Sequence, residues 1–160
     1  MASFLSMDDP QFWKQYPEEL KELVEMPLEG VTGLAYFLLG DRKDNPPTVV
    51  TLRMGPNWTL PRPAHDRHRF EIVVQGTLDV GDRVLKPGDV MKTEPGIAYG
   101  PHIAGPEGCT TFEIFSNHRG SHVTFVDTPK GRVECDVSTR EGMKKMEKAM
   151  LRDMEAKAQA

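Results

Sequence analysis

The hydrophobic pattern of the chain changes twice along its length. In the first segment, residues 1–30, apolar positions recur at spacings of one, three and four, which is typical of one face of a short helix. Proline in a helix interior costs about 3 kcal/mol, so Pro17 predicts two short helical pieces or a kinked helix. Pro27 is expected to end the helical segment. The apolar positions are Phe12, Trp13, Tyr16, Leu20, Leu23 and Val24.

The middle segment, residues 31–128, has the pattern of a β domain. Short runs rich in Val, Ile, Thr and Phe are separated by Gly, Pro and Asp, and such runs predict strands. A tight hairpin is expected at Gly81-Asp82, because glycine permits a positive φ. Many short strands with regular turns predict a sandwich or barrel. The predicted strands are residues 33–39, 48–54, 69–75, 77–80, 83–85, 89–93, 98–99 and 110–116, with a last strand near 122–127.

The last segment, residues 129–160, returns to helical spacing. Ser138 or Thr139 is the predicted N-cap of a helix from residue 140 to about residue 157. A methionine stripe runs along this helix and predicts packing against the same subunit or a neighbour. The stripe consists of Met143, Met146, Met150 and Met154.

Size and charge narrow the class of protein. The 160 residues suit one domain, and a net charge of −4 with no basic stripe argues against nucleic-acid binding. Cys109 and Cys135 form no CxxC pair, and two isolated thiols suit a reducing compartment. The N-terminus has no secretory pattern, and no apolar run approaches the ~20 residues needed to span a membrane. We therefore expect a cytoplasmic protein that binds neither nucleic acid nor membrane.

Two stretches in the middle of the chain carry a family resemblance. Residues 55–76 have the sequence GPNWTLPRPAHDRHRFEIVVQG, and residues 85–102 have the sequence LKPGDVMKTEPGIAYGPH. They are similar to the two motifs of the cupin family, and the likeness covers roughly residues 48–116. The resemblance implies an all-β fold, a single-domain cupin-type jelly-roll β-barrel with short flanking N- and C-terminal helices. It also implies a small-molecule ligand and a homodimer, which the terminal helices could mediate.

The cupin motifs can be aligned with this sequence in two ways. When the first motif is anchored on Gly76, His65 falls at one of its histidine positions, but Arg69 falls at its glutamate position. The second motif then places Tyr99 at its histidine position. In this alignment a metal-free site is implied, with His65 and Tyr99 as a base and acid pair like that of the sugar epimerases. Imidazole is suited to proton transfer near neutral pH.

The other alignment keeps more ligands. His65 and Glu71 are six residues apart, the family spacing, and residues two apart on a strand face the same side. The resemblance then implies one divalent transition metal, Fe, Mn, Ni, Cu or Zn. The implied metal ligands are His65, His68, Glu71 and His102. The remaining histidines, His118 and His122, flank a polar turn and are expected at the surface.

Further side chains are candidates for contact with a substrate. Arginine holds carboxylates bidentately, but Arg53 and Arg69 can also pair with Glu71 or Glu113. Trp58, Phe70 and Phe112 can line the pocket or pack in the core. The candidate substrate-binding residues are Arg53, Trp58, Arg69 and Phe112.

Three functions stay open on this sequence. The first is a metal-dependent small-molecule enzyme, an oxygenase, lyase or isomerase that acts on a small organic acid, ketone or aromatic compound. The second is a metal-free enzyme in which His65 and Tyr99 transfer protons. The third is a non-catalytic domain that binds or senses a small ligand, which would show ligand-induced stabilisation without turnover.

Overall fold

The fold is described by a computed structural model that covers residues 1–60 and 64–160. Its strands are β1 (Val31–Leu38), β2 (Thr48–Met54), β3 (Thr59–Leu60), β4 (Ala64–His65), β5 (Arg69–Asp79), β6 (Val84–Leu85), β7 (Val90–Thr93), β8 (His102–Phe115), β9 (Val123–Thr128) and β10 (Gly131–Asp136). Its α-helices are α1 (Lys21–Glu25), α2 (His118–His122) and α3 (Arg140–Ala158), and 3₁₀ turns lie at Phe12–Lys14, Glu18–Leu20 and Arg42–Asp44.

These strands form two antiparallel sheets. The larger sheet has the order β1-β2-β8-β5-β6, with β3 also paired to β8 and β7 to β5. The smaller sheet has the order β10-β9-β4. The all-β jelly-roll prediction is confirmed. Within the described parts of the chain, no helix is both long enough and apolar enough to cross a bilayer.

The predicted boundaries differ from the observed ones around one glycine. The strands predicted at residues 69–75 and 77–80 are a single strand, β5, which ends at Asp79 and passes through a bulge near Gly76. Gly76 has a φ of +68°, and a Cβ there would lie 2.0 Å from the Gly108 carbonyl oxygen. Because glycine tolerates both conditions, the strand continues where the prediction had a break between two strands. Residues 98–99 are not a strand, and β8 begins at His102 rather than at residue 110.

The central strands carry charged side chains on their inner face. On β5, Arg69 and Glu71 are buried, whereas Phe70 between them is 43 % exposed. Glu71 is paired with Glu113 of β8, and the next partner across the sheet is Val50 of β2. Because side chains alternate along a strand, this register places a row of polar groups inside the fold.

The N-terminal segment packs against β1 of the large sheet, and α3 lies against β9 and β10 of the smaller sheet. Pro17 precedes the second 3₁₀ turn, so the N-terminal segment forms short helical pieces, as Pro17 predicted. Leu20 and Leu23 join Tyr36, Val50 and other residues in one buried cluster. Met143 and Met146 of α3 pack on the same cluster, and the α3 N-cap is Thr139, whose hydroxyl accepts a hydrogen bond from the Gly142 amide. The methionine stripe therefore packs within the subunit at its beginning, while Met154 is exposed.

The expectation that His118 lies at the surface is wrong. Its side chain is buried and lies 3.0 Å from a Glu19 carboxylate oxygen. His122 is half-buried and lies 3.1 Å from an Asp136 carboxylate oxygen. The sequence shows only a polar turn here, because both carboxylates come from distant segments that the fold brings to α2.

The half-buried His122 predicts a loss of folding stability in mild acid. Burial lowers the pKa of His122 below its ordinary value of 6.5, although the hydrogen bond to Asp136 opposes the shift. The folded state thus binds fewer protons at this ring than the unfolded state, so stability is lost as pH falls below about 6.5. The pKa values of Glu19 and Asp136 are lowered, so these carboxyls titrate further below that window.

The measurement is urea unfolding of the wild type and of His122→Asn between about pH 7.5 and about pH 5.5. The variant should show the smaller loss of stability over this range, since it lacks the titrating ring. Parallel pH profiles for the two proteins would contradict the prediction.

Candidate functional site

A cavity of about 740 Å³ lies between the large sheet, the smaller sheet and the helical ends of the chain. This volume lies within the range of sites for small organic molecules. Most of its wall is aliphatic or aromatic, and the wall-forming side chains come from both sheets, the N-terminal segment and α3. They include Leu34, Val50, Leu52, Trp58, Met143 and Met146.

The polar groups of this cavity fall into two sets. Exposed charged residues of the N-terminal segment and α3, among them Glu29 and Lys144, form the rim. Deeper in the cavity lie Tyr36 and Glu113, each 6 % exposed, and the half-buried His65. A ligand would therefore meet charges at the entrance, an apolar wall, and buried polar side chains deeper in the cavity.

His65 is held in one orientation. It ends β4, where it is paired with Thr124 of β9. Its Nδ1 lies 2.8 Å from the carbonyl oxygen of Gly120, and its ring packs edge-on against Phe115 with centroids 4.8 Å apart. A carbonyl can only accept, so Nδ1 must donate, and the lone pair of the neutral ring is on Nε2.

Arg69 is the centre of a buried ion network. Its Nε donates to Glu113 at 2.9 Å, and its Nη2 donates to Glu71. The guanidinium carbon lies 4.4 Å from the centroid of the Tyr99 ring. Burial disfavours the charged guanidinium, but Glu113 and Glu71 outweigh it and raise the pKa of Arg69. Arg69 therefore forms ion pairs with Glu71 and Glu113, which the sequence analysis gave as the alternative to substrate binding.

Two carboxylates contact the Arg69 guanidinium, those of Glu71 and Glu113. Glu71 and Glu113 face each other across β5 and β8, and like charges in that position repel unless a cation lies between them. His102, fully buried, places its Nδ1 3.5 Å from Glu71. The predicted ligands Glu71 and His102 are therefore neighbours, and Tyr99 lies beside His102 with ring centroids 5.5 Å apart.

The pKa of Tyr36 is raised above its ordinary value. Burial is the larger cause, since it disfavours the phenolate, and the negative charge of Glu113 acts in the same direction. Tyr36 is therefore a neutral phenol at physiological pH, a group that can donate a hydrogen bond but not act as a base.

The four implied metal ligands do not converge. His68 is 57 % exposed in its side chain and pairs with Glu94 at 3.2 Å, while the Nδ1 of His65 is engaged by Gly120. Glu71 is held by Arg69. Across residues 1–60 and 64–160, no three His, Cys, Asp or Glu side chains are placed to hold a metal ion. The described donor set does not fit the implied metal.

The candidate substrate-binding residues have different positions. Trp58 lines the cavity, whereas the Arg53 guanidinium lies 4.4 Å from the ring centroid of Trp13. Phe112 is on the opposite face of β8 from Glu113, because neighbouring strand residues point to opposite sides. His65 and Tyr99 do come together, with nearly parallel rings and centroids 6.4 Å apart.

Tyr36 was missed by the sequence analysis, and Glu113 was considered only as an ion-pair partner. β1 has the sequence VTGLAYFL, which is so uniformly apolar that a tyrosine in it suggests packing alone. A signal existed in the spacing, since Leu34 and Tyr36 are two apart and both line the cavity.

The two antiparallel sheets and the pocket between them show that the protein has the cupin fold. No family model and no curated protein matches the chain. Among solved structures, an acetylacetone dioxygenase from Acinetobacter johnsonii matches at 9 % identity with a TM-score of 0.52, over 89 % of this chain and 91 % of the other. At this identity the likeness establishes the fold alone.

Two shorter matches have lower TM-scores. KdgF from Halomonas sp. is 20 % identical over 61 % of this chain and 87 % of its own, with a TM-score of 0.49. An RmlC-like cupin from Shewanella frigidimarina is 23 % identical over 59 % of this chain and 84 % of its own, with a TM-score of 0.46.

Proposed function

We propose that this protein is a small-molecule enzyme that transfers protons without a metal, in the manner of an isomerase or lyase. Its substrate is a small, mostly apolar compound bound in the cavity, and His65 is the base. The observation that carries the proposal is the placement of an oriented imidazole at the floor of an apolar cavity of about 740 Å³. Apolar pockets with a few convergent polar groups are typical of small-molecule sites.

The ion network favours metal-free chemistry over the metal-dependent alternative. Arg69 lies between Glu71 and Glu113, so a cation already neutralises part of the charge that a divalent ion would need. Of the four implied ligands, Glu71 and His102 are neighbours, while His68 pairs with Glu94. A divalent metal stays a prediction, and elemental analysis of the purified protein tests it.

The proposed step is reversible removal of a proton from carbon. His65 Nε2 accepts a proton from a carbon next to a carbonyl group, the C–H bond breaks, and its electron pair moves to give an enolate. Return of the proton to the same or another carbon completes exchange or isomerisation. General-base catalysis of this kind contributes about 10²–10⁴-fold. Tyr99, beside His65, is the group predicted to act as the acid partner.

Deuterium exchange tests the proposal without knowledge of the natural substrate. Chelator-treated protein is mixed in D₂O with acetophenone, 1-tetralone and 2-acetylnaphthalene, and exchange beside the carbonyl is followed by NMR. We expect exchange above the buffer rate that survives chelation, with no stoichiometric metal by elemental mass spectrometry. His68→Gln is the matched control, because His68 lies outside the cavity, and this variant should exchange at the wild-type rate.

Two results would overturn the proposal. Exchange that is lost on chelation and restored by one divalent metal would establish the metal-dependent alternative. Saturable binding of the ketones without any exchange would establish a non-catalytic binding domain.

A further inference from the structure

The volume of the cavity limits the size of the ligand. The cavity has a volume of about 740 Å³, and a water molecule takes about 30 Å³ of the liquid, so there is room for about 25 water molecules. A ketone with a single ring would leave most of this space unfilled. Sites for small molecules bury about 70–90 % of the ligand surface, so a ligand that fills this one carries several rings or a long chain.

The chemistry of the wall distinguishes rings from chains. Aromatic side chains make favourable stacked or edge-on contacts with other rings, and a thioether sulfur makes favourable contacts with an aromatic ring. A saturated chain gains neither kind of contact. The aromatic and sulfur-bearing residues of the wall include Trp58, Phe115, Met26, Met143 and Met146.

The two methionines of α3 meet the cavity from one side of the helix. Met143 and Met146 are three residues apart, so their side chains are neighbours on the helix surface. The Thr124 hydroxyl, which also lines the cavity, donates a hydrogen bond to the Met146 sulfur at 3.6 Å. This contact holds the sulfur at the cavity wall, where a ring of the ligand can meet it.

We propose that the ligand is a polycyclic aromatic ketone of about three fused rings, and that its ring system lies against Met143 and Met146. This inference rests on the proposed function and names its substrate class. The two methionines determine specificity, because their sulfurs favour an aromatic ring over a chain. The cavity volume sets the number of rings.

Three ketones test the inference by equilibrium dialysis. The probes are acetophenone, 2-acetylphenanthrene and 2-hexadecanone, an aliphatic ketone with as many carbon and oxygen atoms as 2-acetylphenanthrene. In the wild type 2-acetylphenanthrene should saturate at one molecule per chain. It should bind about 50- to 100-fold more tightly than acetophenone, because its two further rings bury roughly 100 Å² more apolar surface. It should also bind more tightly than 2-hexadecanone, which an unspecific apolar surface would prefer.

A double variant tests the role of the sulfurs. Met143→Leu with Met146→Leu keeps the wall apolar and nearly conserves its volume. It should bind 2-acetylphenanthrene about three- to tenfold more weakly and 2-hexadecanone as before. Met150→Leu is the matched control, because Met150 belongs to the same stripe of α3 but does not line the cavity. This control should leave all three affinities unchanged, and near-ultraviolet circular dichroism checks the fold of each variant.

The outcomes distinguish the two proposals. If none of the ketones binds the wild type, the proposed function fails and the inference fails with it. The inference alone is wrong if the ketones bind and exchange deuterium but 2-hexadecanone binds best, or if acetophenone binds as tightly as 2-acetylphenanthrene. It is equally wrong if the double variant keeps the wild-type affinity for 2-acetylphenanthrene.

Discussion

Replacement of Arg69 by methionine should lower the free energy of unfolding by about 3–5 kcal/mol, the usual cost of breaking a buried ion pair. The variant removes the guanidinium that contacts both Glu71 and Glu113, which face each other across β5 and β8. Both side chains are buried, so water cannot replace the lost guanidinium. The loss also includes the stacking of the guanidinium on Tyr99.

Urea unfolding measures this loss, and two variants sharpen the result. The triple variant Arg69→Met, Glu71→Gln and Glu113→Gln removes all three charges and should regain most of the stability, because neutral partners carry a smaller desolvation cost. Arg83→Met removes an exposed arginine paired with Asp82 and should change stability by less than about 0.5 kcal/mol. An Arg69→Met protein as stable as the Arg83→Met protein would refute the role given to the network.

Replacement of His65 by glutamine should reduce ketone deuterium exchange by about 10²–10⁴-fold, the usual contribution of a general base. The glutamine amide can still donate a hydrogen bond to the Gly120 carbonyl, which Nδ1 of His65 contacts at 2.8 Å. It cannot accept the substrate proton. The change therefore removes the base while it preserves the volume and the local hydrogen bond.

The affinity of the ketone probes separates chemistry from binding in this experiment. His65→Gln should bind 2-acetylnaphthalene as the wild type does, since uniform binding does not depend on the base. An exchange rate for His65→Gln close to the His68→Gln rate would show that another group takes the proton.

The fold could be predicted from local signals. Proline at position 17 divides the N-terminal helical segment, glycine and aspartate mark the hairpin between β5 and β6, and the Thr139 cap begins α3. Each of these features depends on a few neighbouring residues. The resemblance to the cupin motifs also predicted the jelly-roll architecture, because the turns in those motifs fix where strands start and end.

The site could be predicted only in part, because its geometry depends on contacts between distant segments. His65 and Glu71 were expected inside and are partly or fully buried. The sequence could not show that Arg69 would insert between Glu71 and Glu113, which is 42 residues further along than Glu71. Nor could it show that Tyr36 would meet the cavity, since a tyrosine in an apolar strand suggests packing alone.

The alternation on β5 has a consequence for how the chain finds its native state. A one-residue slip of β5 would turn Phe70 and Ile72 inward and release Arg69 and Glu71 to water. Judged by hydrophobicity alone, that misaligned pairing would be the better one. The ion pair between Arg69 and Glu113 opposes it, so the buried charges help to fix the register of β5, and variants without them should populate misaligned intermediates.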